Sequence, residues 1–223
     1  MSSFRTGPKS KPAEGGRSKW RTSEDARATG HTGALIGPNA ILQLLPQIER
    51  IGGEARVVQM LAEAGVFEVP DGTQMIPEGD AARLHQVLRR DEPEMAAELA
   101  ARAGRGTAEY ILAHRIPKPV QGVLRLLPAP LAARALSAAI GKHAWTFAGS
   151  GAFTAISPWR FEIAHNPIVQ GEHSEVPLCH WHAAVFEYLY RSLVHPRAQC
   201  IETACCAMPG HQVCQYALTI GTH

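Results

Sequence analysis

All five cysteines of this 223-residue chain lie between positions 179 and 214, after 178 residues that contain none. The segment runs Cys179, then Cys200-Ile201-Glu202-Thr203-Ala204-Cys205-Cys206, then Gly210-His211-Gln212-Val213-Cys214. Staples spread through a fold would be scattered along the chain. Such segregation points instead to one local site, where the C-terminal part must fold so that separated thiols meet. Thiolates and carboxylates are good zinc ligands, and a structural zinc takes four of them in a closed tetrahedron. The clustering and short spacings read as a metal site. Buried small residues or a disulfide pair are the alternatives, since free cysteine is among the most buried residue types.

Upstream of the cysteines the hydrophobic pattern is helical. Gly37-Pro38-Asn39 opens a segment with Ile41, Leu44, Leu45, Ile48 and Ile51 at helical spacing, ended by Gly52-Gly53. Residues 54–64 continue as a helix with Val57, Val58, Leu61 and Ala62 on one face, stopping at Gly65. Pro70-Asp71-Gly72 reads as a turn. Residues 80–103 make one or two helices interrupted near Pro93, with Asp91 or Glu92 as a cap, and a further helix spans Thr107 to His114. Residues 120–142 are apolar, but Arg125, Arg134, Pro128 and Pro130 interrupt them, so they do not supply about 20 uninterrupted apolar residues for a membrane span. They read as two short amphipathic helices whose Val123, Leu124 and Leu127, then Leu131, Leu136 and Ile140, face something apolar. The core is one candidate for that surface; a membrane surface or a flat hydrophobic ligand is the other.

The pattern changes after Gly141. Residues 144–149 and 151–156, separated by Gly149-Ser150-Gly151, suit a hairpin. Trp159 to Ile163 alternates as a half-buried strand does. A helix from Leu178 to Val194 carries Trp181, Val185, Phe186, Leu189 and Leu193 on one stripe, and strands at Ala198–Thr203 and Val213–Ile220 finish the chain. Helices followed by strands, a helix and strands predict an α+β fold with an antiparallel sheet packed with helices. The expected organisation is a basic leader over 1–32, a helical region over 33–142 and a zinc-bearing α+β domain over 143–223. This order puts Cys179 in the first turn of the long helix, Glu202 at the end of a strand, Cys205 in the following loop and Cys214 near the start of the last strand. A zinc on these four would tie helix, loop and strand together.

Composition narrows the function classes. Residues 1–32 hold seven basic against three acidic side chains and only Phe4 and Trp20 as large apolar ones, the signature of a disordered leader. The remainder is slightly acidic, so no nucleic-acid footprint follows. No apolar segment follows Met1 as a secretory signal would, and the cysteine usage fits a reducing cytoplasm.

The run Glu202-x-x-Cys205, Gly210, Cys214, followed by Tyr216 and alternating apolar residues, resembles the end of the 4-vinyl-reductase domain. That resemblance implies a small α+β fold related to the small subunits of vesicle-tethering TRAPP complexes. It also implies zinc chelation by a Cys, Glu-x-x-Cys, Cys pattern, which falls here on Cys179, Glu202, Cys205 and Cys214, with Cys206 as an extra thiol. Upstream, Gly106-Thr-Ala-Glu-Tyr110-Ile-Leu-Ala-His114-Arg115-Ile-Pro117 and Trp145 with Phe147 are similar to bacteriochlorophyll biosynthesis proteins of the BchJ type. The similarity runs from about Gly33 to the end.

For function, the resemblance implies either binding and delivery of a magnesium porphyrin or chlorin intermediate or reduction of its 8-vinyl group. Its expected neighbours are magnesium chelatase or the following methyltransferase. A cytoplasmic location is implied, with peripheral contact to the photosynthetic membrane and a homodimer as candidate arrangements. Vinyl reduction needs a cofactor to carry hydride or electrons. The chain shows no G-x-G-x-x-G fingerprint after a strand and no flavin motif, only the bare Gly104-Arg105-Gly106 and Gly149-Ser150-Gly151. The residues therefore favour binding over catalysis, with a small-aromatic sensing module as a more distant reading. Leu127 and Leu131 are the expected wall for a flat ligand. His114, His165, His173, His180 and His182 are candidate axial imidazoles, His114 first among them.

Overall fold

A computed structural model of the chain describes residues 33–221; the leader expected over 1–32 lies outside the described residues. A short strand, β1 (Leu35–Ile36), and a single-turn helix, α1 (Asn39–Leu42), lead into α2 (Leu45–Glu63). Gly52-Gly53 does not end this helix as the sequence predicts. Gly53 adopts φ 67° and ψ −171°, and the helix resumes beyond a kink. Only glycine takes that backbone conformation without strain. After the kink the buried face is Met60, Leu61 and Ala64, while Val58 and Ala62 of the predicted face are exposed.

Strand β2 (Ile76–Pro77) pairs with β1, and α3 (Glu78–Asp91) follows. The next helix, α4, runs unbroken from Ala96 to His114. The separate helix expected at Thr107 is thus the second half of α4, because Gly104 and Gly106 are tolerated in mid-helix by close packing. Neither Asp91 nor Glu92 caps α4; the residue at that position is Met95, with no side-chain cap. The helices α5 (Lys118–Leu126) and α6 (Ala129–Lys142) are the expected amphipathic pair, separated by Leu127-Pro128. No described helix is long and apolar enough to cross a membrane.

The expected strand at 144–149 is instead a helical turn, α7 (Trp145–Ala148), and the hairpin moves downstream. It is formed by β3 (Ala152–Ser157) and β4 (Arg160–Ala164), turning at Pro158-Trp159. Gly149, at φ 58°, leaves the helical turn rather than joining two strands. A one-turn 3-10 helix at Pro167–Val169 precedes the long α8 (His180–Leu193), then β5 (Ala198–Ala204) and β6 (Val213–Ile220) close the chain. The sheet has the order β3-β4-β6-β5 and every pair is antiparallel.

Alternation decides what the sheet buries. Phe161 and Ile163 of β4, and Cys214, Tyr216 and Leu218 of β6, are buried under α8, whose Trp181, Val185, Phe186, Leu189 and Leu193 are buried as the stripe predicts. Phe186 meets Phe161 and Tyr216 edge-on with centroids 5.1 and 5.2 Å apart. On its other side α8 packs along α4. A Cβ at Gly104 would collide with the Trp181 carbonyl and stand 2.8 Å from Ala184 Cβ, so the absent side chain sets how closely the helices approach. One buried cluster runs from Ile36 through the helices to Leu218.

Candidate metal centre

Each of the four predicted ligands is placed by a local backbone device. Cys179 is the residue before α8, and its carbonyl accepts the Ala183 N–H at 3.2 Å. Cys214 lies on the inward face of β6, two residues from Tyr216, opposite Ile163 of β4. Glu202 of β5 pairs with Tyr216, and the register slips between Glu202 and Ala204. A bulge breaks the alternation that would turn one of two successive residues to solvent. Beyond it Ala204 and Cys205 are both buried.

The result is a convergence of ligand atoms. One atom each from Cys179, Glu202, Cys205 and Cys214 lies within 4.8 Å of every other. The Sγ atoms of Cys179 and Cys214 are 3.4 Å apart, those of Cys179 and Cys205 3.9 Å, and those of Cys205 and Cys214 3.8 Å. Thiolates about 2.3 Å from a tetrahedral zinc stand about 3.8 Å from one another, so the three sulfurs already form the face of such a tetrahedron. Glu202 closes the fourth corner. Its Oε2 accepts the Cys179 N–H at 2.6 Å, while the buried Oε1 has no hydrogen-bond partner. A buried carboxylate oxygen left bare is costly unless a cation meets it.

Charge leads to the same reading. Burial pushes the Glu202 carboxyl up to about 8 and the Cys179 thiol well above its usual range. Cys214 is raised by the hydrogen bonds it gives to the neighbouring thiols, whereas Cys205 is driven far down by hydrogen bonds from Cys179 and Cys214. Without a cation the cluster therefore holds one negative charge, on Cys205. A divalent ion reverses that balance and lets all four groups ionise. Donors stand ready for the extra charge: Asn166 Nδ2 reaches Cys179 Sγ at 3.1 Å and Cys214 Sγ at 3.6 Å, and the Cys206 N–H reaches Cys214 Sγ at 3.3 Å. The residues fit a zinc ion, and with four protein ligands they leave no position open for a substrate.

Cys206 stands beside this set. Its Sγ is 3.5 Å from that of Cys214, but it turns toward the Gln212 and Ile163 carbonyls at 3.4 and 3.7 Å. Cys200 is buried on β5 and outside the four. Asn166 is the residue that sequence reasoning missed. It read only as the end of a strand, and nothing local marks it; its side chain meets the thiols because the turn after β4 folds back under α8.

The expected flat-ligand residues do not meet at an enclosed slot. Leu127 is half-buried against the core, Leu131 is 55% exposed, and Val123, expected to face inward, is also exposed. His114 ends α4 on the surface with its ring 4.7 Å from that of Tyr110. Two cavities are lined by other residues. One of about 430 Å³ lies against Pro77, Glu78, Arg83 and Gln170, and one of about 250 Å³ against His165, Asn166, Cys206 and His211. His182 is buried, with Nε2 3.0 Å from the Phe147 carbonyl, and burial holds it neutral with a pKa lowered to about 4. His165 takes a left-handed backbone conformation, φ 52°, at the rim of the smaller cavity.

Comparison with known proteins agrees with this architecture. The 4-vinyl-reductase domain model matches residues 159–220, the span that holds β4, α8, β5, β6 and all the candidate ligands. The chain is 50% identical over 201 residues to the bacteriochlorophyll synthase 23 kDa chain of Cereibacter sphaeroides, covering 88% of this chain and 97% of that relative. It is 44% identical over 177 residues to the protein of the same name from Rhodobacter capsulatus, covering 78% and 83%. A solved structure described as probing the function of heme distortion in the H-NOX family superposes with a TM-score of 0.50 at 9% identity, over 84% of this chain and 96% of that one, a likeness of fold. With half its residues shared across nearly the whole of a relative, the chain belongs to the family of bacteriochlorophyll synthase 23 kDa chains, bacteriochlorophyll biosynthesis proteins that carry a 4-vinyl-reductase domain.

Proposed function

We propose that the protein is an accessory factor of bacteriochlorophyll biosynthesis that binds or delivers a magnesium porphyrin or chlorin intermediate, with a structural zinc on Cys179, Glu202, Cys205 and Cys214. The observation that carries the pathway is the 50% identity over 97% of a relative named as a bacteriochlorophyll synthase chain. The zinc rests on the convergence of three thiols and a carboxylate. Binding rather than catalysis is favoured because the four ligands close the site, and the chain offers no nucleotide-binding fingerprint to supply a hydride. A carrier would work beside magnesium chelatase or the following methyltransferase. For the pigment, Leu131 and His114 offer exposed apolar and imidazole contacts near the surface.

Anaerobic incubation of the purified protein with divinyl protochlorophyllide, with and without NADPH, tests this reading by absorbance and chromatography. The expected result is a micromolar or tighter complex with a shifted or quenched spectrum and no conversion of the vinyl group. Leu131→Asp weakens the complex roughly tenfold, the worth of one buried aliphatic side chain, and leaves zinc content unchanged. Turnover with NADPH alone would establish the vinyl reductase instead, and no spectral change at any concentration would remove the carrier role.

A further inference from the structure

The helix α5 buries one face and presents a second apolar face to solvent. Gln121 and Leu124 point inward, whereas Val120, Val123 and Leu126 are 46%, 59% and 88% exposed. These three recur every third residue, so they share one side of the helix beside the buried stripe. A soluble monomer gains nothing from this arrangement, since an exposed apolar run of this kind on a short helix leaves its burial energy unused.

The charges around it have one sign. From Tyr110 to Phe161 the chain has no aspartate or glutamate, but it has Arg115, Lys118, Arg125, Arg134, Lys142 and Arg160. The acids that bound this stretch are engaged elsewhere. Glu109 interacts with the Tyr188 hydroxyl, and Glu162 accepts from Gln215 at 3.0 Å. On α6 the exposed face continues the theme, with Leu131, Arg134, Ala135, Ala138 and Lys142 and no acid. Trp145, 42% exposed, follows directly, a residue type that sits at membrane–water interfaces.

From this we infer that α5 and the exposed side of α6 rest on an anionic bilayer surface, with Val120, Val123 and Leu126 entering the headgroup region and Lys118, Arg134 and Lys142 contacting lipid phosphates. An apolar face supplies hydrocarbon burial and the cations supply headgroup attraction; together they make the two-signal contact that reversible membrane docking requires. The absence of acids distinguishes a lipid surface from a protein partner, which would ordinarily be met with charges of both signs. No described segment spans the bilayer, and the inference stands apart from pigment binding.

Flotation of the pigment-free full-length protein with vesicles tests it. Vesicles of about 40% phosphatidylglycerol in phosphatidylcholine should carry the protein upward at low salt, and pure phosphatidylcholine should carry about tenfold less. Leu126→Asp, at a position too exposed to affect folding, should cut recovery on the anionic vesicles at least about tenfold. The double variant Lys118→Glu/Arg134→Glu should do the same while circular dichroism and zinc content stay unchanged. No flotation on anionic vesicles, or flotation that Leu126→Asp leaves intact, overturns the inference. So does a dimer on size exclusion that Leu126→Asp splits, because the face would then belong to a second copy. Loss of pigment affinity with lipid binding retained would hand the face to the ligand instead.

Discussion

Single residues make the metal site sensitive to conservative change. Purified protein should contain about one zinc per chain by elemental analysis, and Cys179→Ser or Cys214→Ser should lose metal and thermal stability together, because the binding free energy of a structural zinc is folding free energy. Glu202→Gln should keep more metal than either serine variant, since the neutral amide remains a weak ligand. Folded protein with freely titrating thiols and no metal would end the zinc reading. Asn166 extends the site beyond its ligands. It is buried, its Oδ1 fixes the Ile168 N–H at 3.2 Å, and its amide faces two sulfurs. The four side chains that converge were legible in the sequence from residue type and spacing. The contribution of Asn166 was not, because hydrogen bonding to a sulfur 48 positions away leaves no local pattern.

Among the elements, α4 and α8 form the joint on which the site depends. Cys179 begins α8, so its position relative to β5 and β6 depends on where α8 lies, and α8 lies against Gly104. Gly104→Val should destabilise the protein by about 1–3 kcal/mol by overpacking, read as a lowered urea midpoint, and should lower zinc retention with it. An unchanged midpoint would show that the helices part without cost. The amphipathic α5 and α6, the stripe of α8 and the strands β5 and β6 were readable from periodicity, because each buries one face against the same core. The hairpin at Gly149 was misread. A glycine pair between aromatic runs fits a helix end as well as a turn, and only the packing of Phe147 against Phe153 and Phe186 decides for α7. The break expected at Thr107 fails for a related reason: Thr107 sits in mid-helix with its hydroxyl on the Ala103 carbonyl, accepting from Trp181 Nε1 at 3.1 Å.

Across the whole molecule, two buried histidines tie the early helices to the late ones. His85 of α3 has Nε2 3.1 Å from the Ala40 carbonyl, and His182 of α8 meets Phe147 of α7. Burial lowers their pKa values to about 3 and about 4, against 6.5 for an exposed imidazole. The folded state therefore binds fewer protons than the unfolded state below pH 6.5, and stability falls as pH drops, by at most about 1.4 kcal/mol per pH unit for each histidine. In metal-free protein the stability gap between the parent and His182→Asn should narrow by about 2 kcal/mol from pH 7 to pH 5, because asparagine takes up no proton. A gap independent of pH would mean that His182 titrates normally. Taken alone, the sequence determined the α+β class, the ends of the long helix and last strands, and the four residue types of the candidate centre, since periodicity and ligand spacing are local properties. The tertiary structure decided what lies between them: the sheet order β3-β4-β6-β5, the convergence of sulfurs from a helix start, a loop and a strand, and which apolar side chains stay outside. Those depend on contacts between residues far apart in the chain, and no local pattern encodes which face of α5 the core leaves uncovered.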